Sequence, residues 1–159
     1  MNDADELHGF FFDDLRVGQT AVVARTLTEA DIVLFAGISG DTNPVHINEE
    51  FAAGTMFSGR IAHGMLTASF ISTVIGTKLP GPGAIYLSQS LRFKAPVRVG
   101  DTLWARATVT ELVPEKRRAS LATTVTVRDK IVLEGEAVVM VPQRAIVATP
   151  KLAAAVSGD

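Results

Sequence analysis

Cysteine is absent from the 159 residues of the chain. Its absence excludes disulfide bonds, thiolate metal sites and cysteine nucleophiles, and it is compatible with a reducing compartment. An excess of basic residues is also missing, because the chain has 15 lysines and arginines and 17 aspartates and glutamates. Such a balance does not favour binding to the phosphates of a nucleic acid. We therefore expect a cytoplasmic protein without a nucleic-acid partner.

Long uninterrupted apolar segments are not found either. The longest ones are broken by polar residues well before the roughly 20 residues that a membrane-spanning helix needs. The first residues, MNDADELHGFFFDD, are acidic and lack the basic and apolar segments of a signal peptide. Because 47% of the residues are hydrophobic and 20% are charged, the composition predicts one soluble domain, residues 1–159, away from the membrane. Its core is expected at about 12–142, and the tail ATPKLAAAVSGD is expected to be loosely attached.

The first part of the chain reads as a strand followed by a short helix. TAVVARTL, residues 20–27, is rich in β-branched residues. Thr28 and Asp31 have the spacing of a helix cap before TEADIVLFAG, and Gly37 and Gly40 are predicted to end that helix.

A second, more apolar helix is predicted from HGMLTASFISTVIGTKL, residues 63–79, with burial on most of its faces. The segments after it favour strands, because apolar and polar residues alternate in them. These segments are AIYLSQSLRFKAP, DTLWARATVTELV, RASLATTVTVRD and IVLEGEAVVMVP. The order predicts an α+β fold in which an antiparallel sheet curls around one buried helix.

SGDTNPVHINEEFA, residues 39–52, interrupts this pattern with turn-forming residues. Asp41 and His46 cannot share one face of a helix, because they are five residues apart and Pro44 lies between them. A bend at Asn43 can direct a carboxylate, a carboxamide and an imidazole to one point. The alternative is structural: Asp41 as a turn or cap residue, and His46 as a solvated or core histidine.

FAGISGDTNPVHINEEFA, residues 35–52, resembles the signature of the MaoC-like (R)-specific enoyl-CoA hydratases: S-G-D-x-N-P-x-H and then a small residue, here Ala52. RIAHGMLTASF, IYLSQSLRFKAPVRVGD and EGEAVVMVP are similar to later segments of the short, single-domain members used in polyhydroxyalkanoate monomer supply. The resemblance implies a hot-dog fold and a homodimer with side-by-side sheets. It also implies an acyl-CoA substrate, held in an acyl tunnel near the subunit boundary.

The reaction implied by this resemblance is reversible addition of water to a trans-2-enoyl thioester, which gives the (3R)-3-hydroxyacyl thioester. In that reaction Asp41 activates the water, His46 orients it and handles the proton for C2, and Asn43 holds it. The backbone N–H of Gly64, at the start of the buried helix, is expected to stabilise the developing enolate. His63 is interpreted as a structural hydrogen-bonding residue.

Phe51, Phe57, Met65 and Leu66 are candidates for the acyl pocket, although the same apolar pattern suits a core. No metal site is predicted, because the histidines lack the HExxH spacing and cysteine is absent. No cofactor is expected, since CoA is part of the substrate. The alternatives are a 3-hydroxyacyl-carrier-protein dehydratase, a hot-dog thioesterase and a non-catalytic acyl-CoA-binding module.

Overall fold

The computed structural model describes residues 6–144. It contains five strands: β1 (Thr20–Thr26), β2 (Ile85–Phe93), β3 (Thr102–Val113), β4 (Arg118–Val127) and β5 (Lys130–Met140). Its α-helices are α1 (Glu29–Ser39), α2 (Pro44–Ile47), α3 (Glu49–Ala53) and α4 (Gly64–Thr77). The tail predicted to be loosely attached lies outside the described residues.

Helix α1 begins with a capping box. Thr28 accepts a hydrogen bond from the backbone N–H of Asp31, and the Asp31 carboxylate accepts one from the backbone N–H of Thr28 at 2.8 Å. Gly40 ends the helix in the left-handed conformation at φ 75°, which glycine adopts without steric cost. Gly37 lies inside the helix, so the prediction that it also ends α1 was wrong.

Two short helices follow in the segment that was predicted as a turn. The side chain of Asn43 accepts a hydrogen bond from the backbone N–H of Val45 at 3.2 Å, and Pro44 occupies the first position of α2. Proline suits that position because the missing N–H has no intrahelical partner there. The bend between α1 and α2 places Asp41 before a helix and His46 on it.

The five strands form one antiparallel sheet in the order β1-β3-β4-β5-β2. Helix α4 packs against β1, β3 and β4. On the face toward the helix, Leu121 of β4 pairs with Val109 of β3 and Ala137 of β5, and all three are buried. The alternating burial along β4 confirms the strand predicted there. The architecture is the predicted one, a helix held in a curled antiparallel sheet.

Helix α4 is buried along one side only, not on most of its faces as predicted. The buried side is formed by Leu66, Thr67, Phe70, Ile71, Val74 and Ile75. Met65 and Ser69 are exposed in the single chain. Within residues 6–144, no helix combines the length and apolar character required to cross a membrane.

Candidate active site

Asp41 lies in the exposed connection between α1 and α2. Its carboxylate accepts a hydrogen bond from the backbone N–H of Asn43 at 3.2 Å, and its own N–H bonds the hydroxyl of Ser39 at 3.2 Å. Its backbone carbonyl accepts a third bond from Nε2 of His63 at 2.9 Å. The carboxylate is thus close to the protein surface, while the backbone is fixed to the residue that precedes α4.

His46 is buried, with 8% of its surface exposed. Its Nδ1 lies 2.8 Å from the carbonyl oxygen of Ile61. Because a carbonyl oxygen only accepts hydrogen bonds, Nδ1 carries a hydrogen. Nε2 is therefore the nitrogen through which this ring can take up or release a proton.

Asp41, His46 and His63 form a cluster in which one oxygen or nitrogen atom of each side chain lies within 4.8 Å of the others. The rings of His46 and His63 are 3.9 Å apart between centroids. The turn therefore brings Asp41 and His46 close together, as the sequence pattern predicted. Three such groups can also hold a metal ion, but Nδ1 of His46 and Nε2 of His63 already bond carbonyl oxygens, which leaves one nitrogen on each ring.

Asn43 uses its carboxamide oxygen to cap α2. This bond leaves the NH₂ group as the part of the side chain able to bind a further oxygen atom. The oxygen of Asn43 can thus serve the turn while its NH₂ group binds a water, because the two roles use different atoms of the side chain.

Gly64 is the first residue of α4 and lines a cavity next to His46. Backbone N–H groups in the first turn of a helix have no intrahelical acceptor, and they lie at the positive end of the helix dipole. A Cβ atom at this position would lie 2.8 Å from Cε1 of Phe93, so a larger residue does not fit without movement of that ring. Gly64 therefore contributes only backbone atoms to the wall of the cavity.

The cavity has a volume of about 360 Å³. Of the four side chains expected to form the acyl pocket, only Phe57 lines it. Leu66 is buried in the core, and Phe51 and Met65 are exposed in the single chain. The lining residues that sequence reasoning missed are Met56, Ile61, Ala62, Thr67, Phe93, Lys94, Ala95, Pro96, Val97 and Val132.

Lys94 is the one positively charged side chain among the lining residues. Its Nζ lies 2.8 Å from a carboxylate oxygen of Glu134. The hydrogen bond from Lys94, aided by the charges of Lys94 and Arg92, lowers the pKa of Glu134 below its usual value. Glu134 is therefore ionised at neutral pH and offsets the positive charge beside the cavity.

The segment from 54 to 63 carries Met56 and Phe57 over the cavity. The guanidinium of Arg98 donates to two backbone carbonyls of this segment, those of Phe57 and Arg60. The side chain of Arg60 in turn forms a bidentate ion pair with Glu29 of α1, at 2.7 and 2.9 Å. Two arginines thus fix the segment to the rest of the domain.

Comparison with known proteins identifies the family. Residues 16–132 match the family described as MaoC like domain. The chain belongs to the MaoC-like family. The (R)-specific enoyl-CoA hydratase of Rhodospirillum rubrum is similar to this MaoC-like protein, with 61% identity over 141 residues that cover 89% of the chain and 98% of the relative.

Two solved structures resemble the MaoC-like fold described above. The unliganded R-hydratase PhaJ1 from Pseudomonas aeruginosa has a TM-score of 0.81 at 43% identity, over 91% of this chain and 96% of that one. The (R)-hydratase from Aeromonas caviae involved in PHA biosynthesis has a TM-score of 0.78 at 45% identity, over 80% and 98%. These relatives confirm the predicted family and the predicted enzyme class, a hydro-lyase.

Proposed function

We propose that this MaoC-like protein catalyses reversible (R)-specific hydration of trans-2-enoyl-CoA to (3R)-3-hydroxyacyl-CoA. The observation that supports it most is the cluster of Asp41 and His46 beside the cavity whose wall includes Gly64. The set contains a carboxylate, an imidazole whose Nε2 makes no hydrogen bond within residues 6–144, and an amide N–H. These are the groups that addition of water to a conjugated thioester requires. The names of the similar proteins supply the substrate class and the stereochemistry.

In the proposed reaction Asp41 and His46 act as a pair on one water molecule. A proton leaves the water as its oxygen bonds C3 of the substrate, and the electrons of the double bond move toward the thioester carbonyl. A proton then bonds C2, so that the elements of water are added across the double bond. General acid–base catalysis of this kind contributes about 10²–10⁴-fold to a rate.

Two further groups complete the proposed site. The N–H of Gly64 donates to the thioester oxygen, on which negative charge develops as the double bond is attacked. The NH₂ group of Asn43 holds the water near the pair. No metal and no cofactor have a role in this mechanism.

The experiment that tests the proposal is a hydration assay with crotonyl-CoA. Hydration removes the conjugated double bond, so the absorbance of the thioester decreases, and chiral analysis of the product is expected to give the (3R) alcohol. A series of enoyl-CoA esters of about four to twelve carbons then defines the acyl length that the pocket accepts. An unchanged absorbance, or an (S) product, contradicts the proposal.

The same assay separates the alternatives. A 3-hydroxyacyl-carrier-protein dehydratase would act faster on carrier-bound thioesters than on CoA esters. A thioesterase would release free thiol, which a disulfide dye detects. A non-catalytic module would bind the thioester without turnover. The hydratase is favoured over the module because a binding protein has no need for a carboxylate and an imidazole placed together.

We also propose that two copies of the chain form a homodimer through β2. This strand is at the edge of the sheet. It exposes Ile85, Tyr86, Leu87 and Phe93 in the single chain. An edge strand with exposed apolar side chains is a site of pairing with another chain unless it is covered. Pairing of two β2 strands joins the sheets side by side.

Polyhydroxyalkanoate monomer supply in the cytoplasm is the proposed setting, by analogy with the relative involved in PHA biosynthesis.

A further inference from the structure

The imidazole of His63 lies next to three residues of the proposed site, Asp41, His46 and Gly64. It is 1% exposed, and its Nε2 lies 2.9 Å from the backbone carbonyl oxygen of Asp41. Its ring centroid lies 3.9 Å from that of His46. It also directly precedes Gly64, where α4 begins. One buried side chain therefore connects the loop of the carboxylate, the reactive imidazole and the start of the helix.

The hydrogen bond to Asp41 determines which nitrogen of His63 carries the hydrogen. Because a carbonyl oxygen only accepts, Nε2 is the N–H nitrogen, and Nδ1 of the neutral ring holds a lone pair. This Nδ1 is buried and is without a hydrogen-bond partner among residues 6–144. A buried acceptor without a partner costs free energy, and an apolar side chain of similar size would avoid that cost. The imidazole is thus a poor choice for core packing alone, which indicates a role in the site.

We propose that His63 is a positioning residue of the hydratase reaction, a role that rests on the proposed function. Its Nε2–H fixes the backbone of Asp41, and its ring fixes the plane of His46. The other hydrogen bonds of Asp41 within the described part of the chain reach only two residues away, to Ser39 and Asn43. The bond from His63 spans 22 residues and ties this exposed loop to α4.

Loss of the hydrogen bond between His63 and Asp41 lowers the rate, because the proton-transfer groups must be held in place. A displacement of about 1 Å between reacting groups lowers a rate by about 10²-fold. The substrate itself bonds other groups, so its affinity does not depend on His63. The expected signature is a decrease in kcat with little change in KM.

Three substitutions separate the contributions of the side chain. His63→Gln keeps an N–H donor near the position of Nε2 without the ring. His63→Phe keeps a ring beside His46 without the donor, and His63→Leu keeps neither. The variants are compared in the hydration of crotonyl-CoA, with kcat and KM measured separately and the melting temperature recorded for each.

The expected result is a loss of about 10²-fold in kcat for the leucine variant, with KM within about threefold of the unmodified protein. The glutamine variant is expected to keep at least about a tenth of kcat, because it restores the donor. Equal kcat values for the glutamine and leucine variants overturn the proposal. So does a leucine variant that has a lower melting temperature but unchanged kcat. If the leucine variant does not fold, glutamine is compared with phenylalanine: higher kcat for glutamine supports the role, and equal or lower kcat overturns it.

A second measurement does not depend on turnover. ¹⁵N NMR of the imidazole nitrogens in the unmodified protein is expected to show the Nε2–H tautomer of His63, and the Nδ1–H tautomer overturns the proposal. Absence of hydration by the unmodified protein overturns the proposed function and this role together. Hydration by the unmodified protein, with equal kcat for the glutamine and leucine variants, overturns the role of His63 alone.

Discussion

Nδ1 of His46 lies 2.8 Å from the carbonyl oxygen of Ile61, a residue that lines the same cavity. The bond holds the imidazole in one orientation and leaves Nε2 as the nitrogen available for the proposed proton exchange. A hydrogen bond from one ring nitrogen to a backbone carbonyl fixes the tautomer of a histidine and leaves the other nitrogen available. The position of the ring is therefore determined by the segment before α4 and not by α2 alone.

The first prediction concerns the proposed proton-transfer pair. Asp41→Asn and His46→Gln are each expected to lower kcat for crotonyl-CoA hydration by at least about 10²-fold, because each removes a group that exchanges a proton. The double variant should lose little more than either single variant, since the two groups act as a unit. His8→Gln serves as the control, because His8 stacks on Phe11 and is not part of the cluster. A folded His46→Gln variant with near-normal turnover would refute the assignment.

The second prediction compares two glycines of α4. Gly64→Ala is expected to lower kcat/KM by about 10²-fold, because the added methyl group meets the ring of Phe93 and one of the two must move at the wall of the cavity. Gly76→Ala is the matched control, since a Cβ there meets nothing within 4 Å. It is expected to leave turnover unchanged and to raise the free energy of unfolding by about 0.5–1 kcal/mol. Equal activity of the two variants would argue against an oxyanion role for Gly64.

The third prediction is a pH dependence of stability. The hydrogen bonds from Arg60 lower the pKa of Glu29 below its ordinary value of 4.5. A depressed carboxylate pKa stabilises the fold above the pKa of the unfolded chain, and this contribution is lost as the pH falls through the folded value. Glu29→Gln is thus expected to lower the free energy of unfolding by about 1 kcal/mol or less at neutral pH, and by a smaller amount below pH 4.5.

Urea denaturation at several pH values measures this difference. The side chain of Glu29 is 50% exposed, so solvent screening keeps the effect small despite the bidentate geometry. Glu115→Gln is a suitable control, because Glu115 has no ion pair with another described residue. A stability difference for Glu29→Gln that grows toward acid would have the wrong sign for this ion pair.

The fourth prediction tests the dimer. The unmodified protein is expected to sediment at about twice its 16.9 kDa chain mass. Leu87→Lys places a charge on each of two symmetry-related β2 strands, and like charges directly opposite destabilise their pairing. The variant should therefore sediment nearer to a monomer in analytical ultracentrifugation. Val17→Lys, at an exposed apolar residue before β1, should not change the mass. Equal sedimentation of the two variants would place the interface elsewhere.

The fold was largely predictable from the sequence because its signals are local. Alternating residues in β4 indicate a half-buried strand, and the spacing of Thr28 and Asp31 indicates the start of α1. The faces of α4 were less predictable. Apolar residues occur on every side of that helix, so the pattern does not distinguish Leu66, which faces the sheet, from Met65, which faces solvent.

The candidate site was predictable only in part, for a similar reason. Asp41, Asn43 and His46 lie within six residues, so a single bend can bring them together. The bonds that orient them come from Ile61 and His63, far along the chain, and depend on how α4 packs on the sheet. Residues 94–97, which follow β2 and line the cavity, were not predicted. Nothing in the local sequence pattern of this segment indicates that it faces a cavity.

Arg98 holds the segment over the cavity through the backbone carbonyls of Phe57 and Arg60. Every residue type has a main-chain carbonyl oxygen, so substitutions at Met56 and Phe57 leave the hydrogen bonds from Arg98 intact. The dimensions of the cavity can therefore change by substitution at these two positions while Asp41 and His46 stay as they are. If the proposed hydratase activity holds, the choice of acyl chain and the proton transfer can thus change independently of each other.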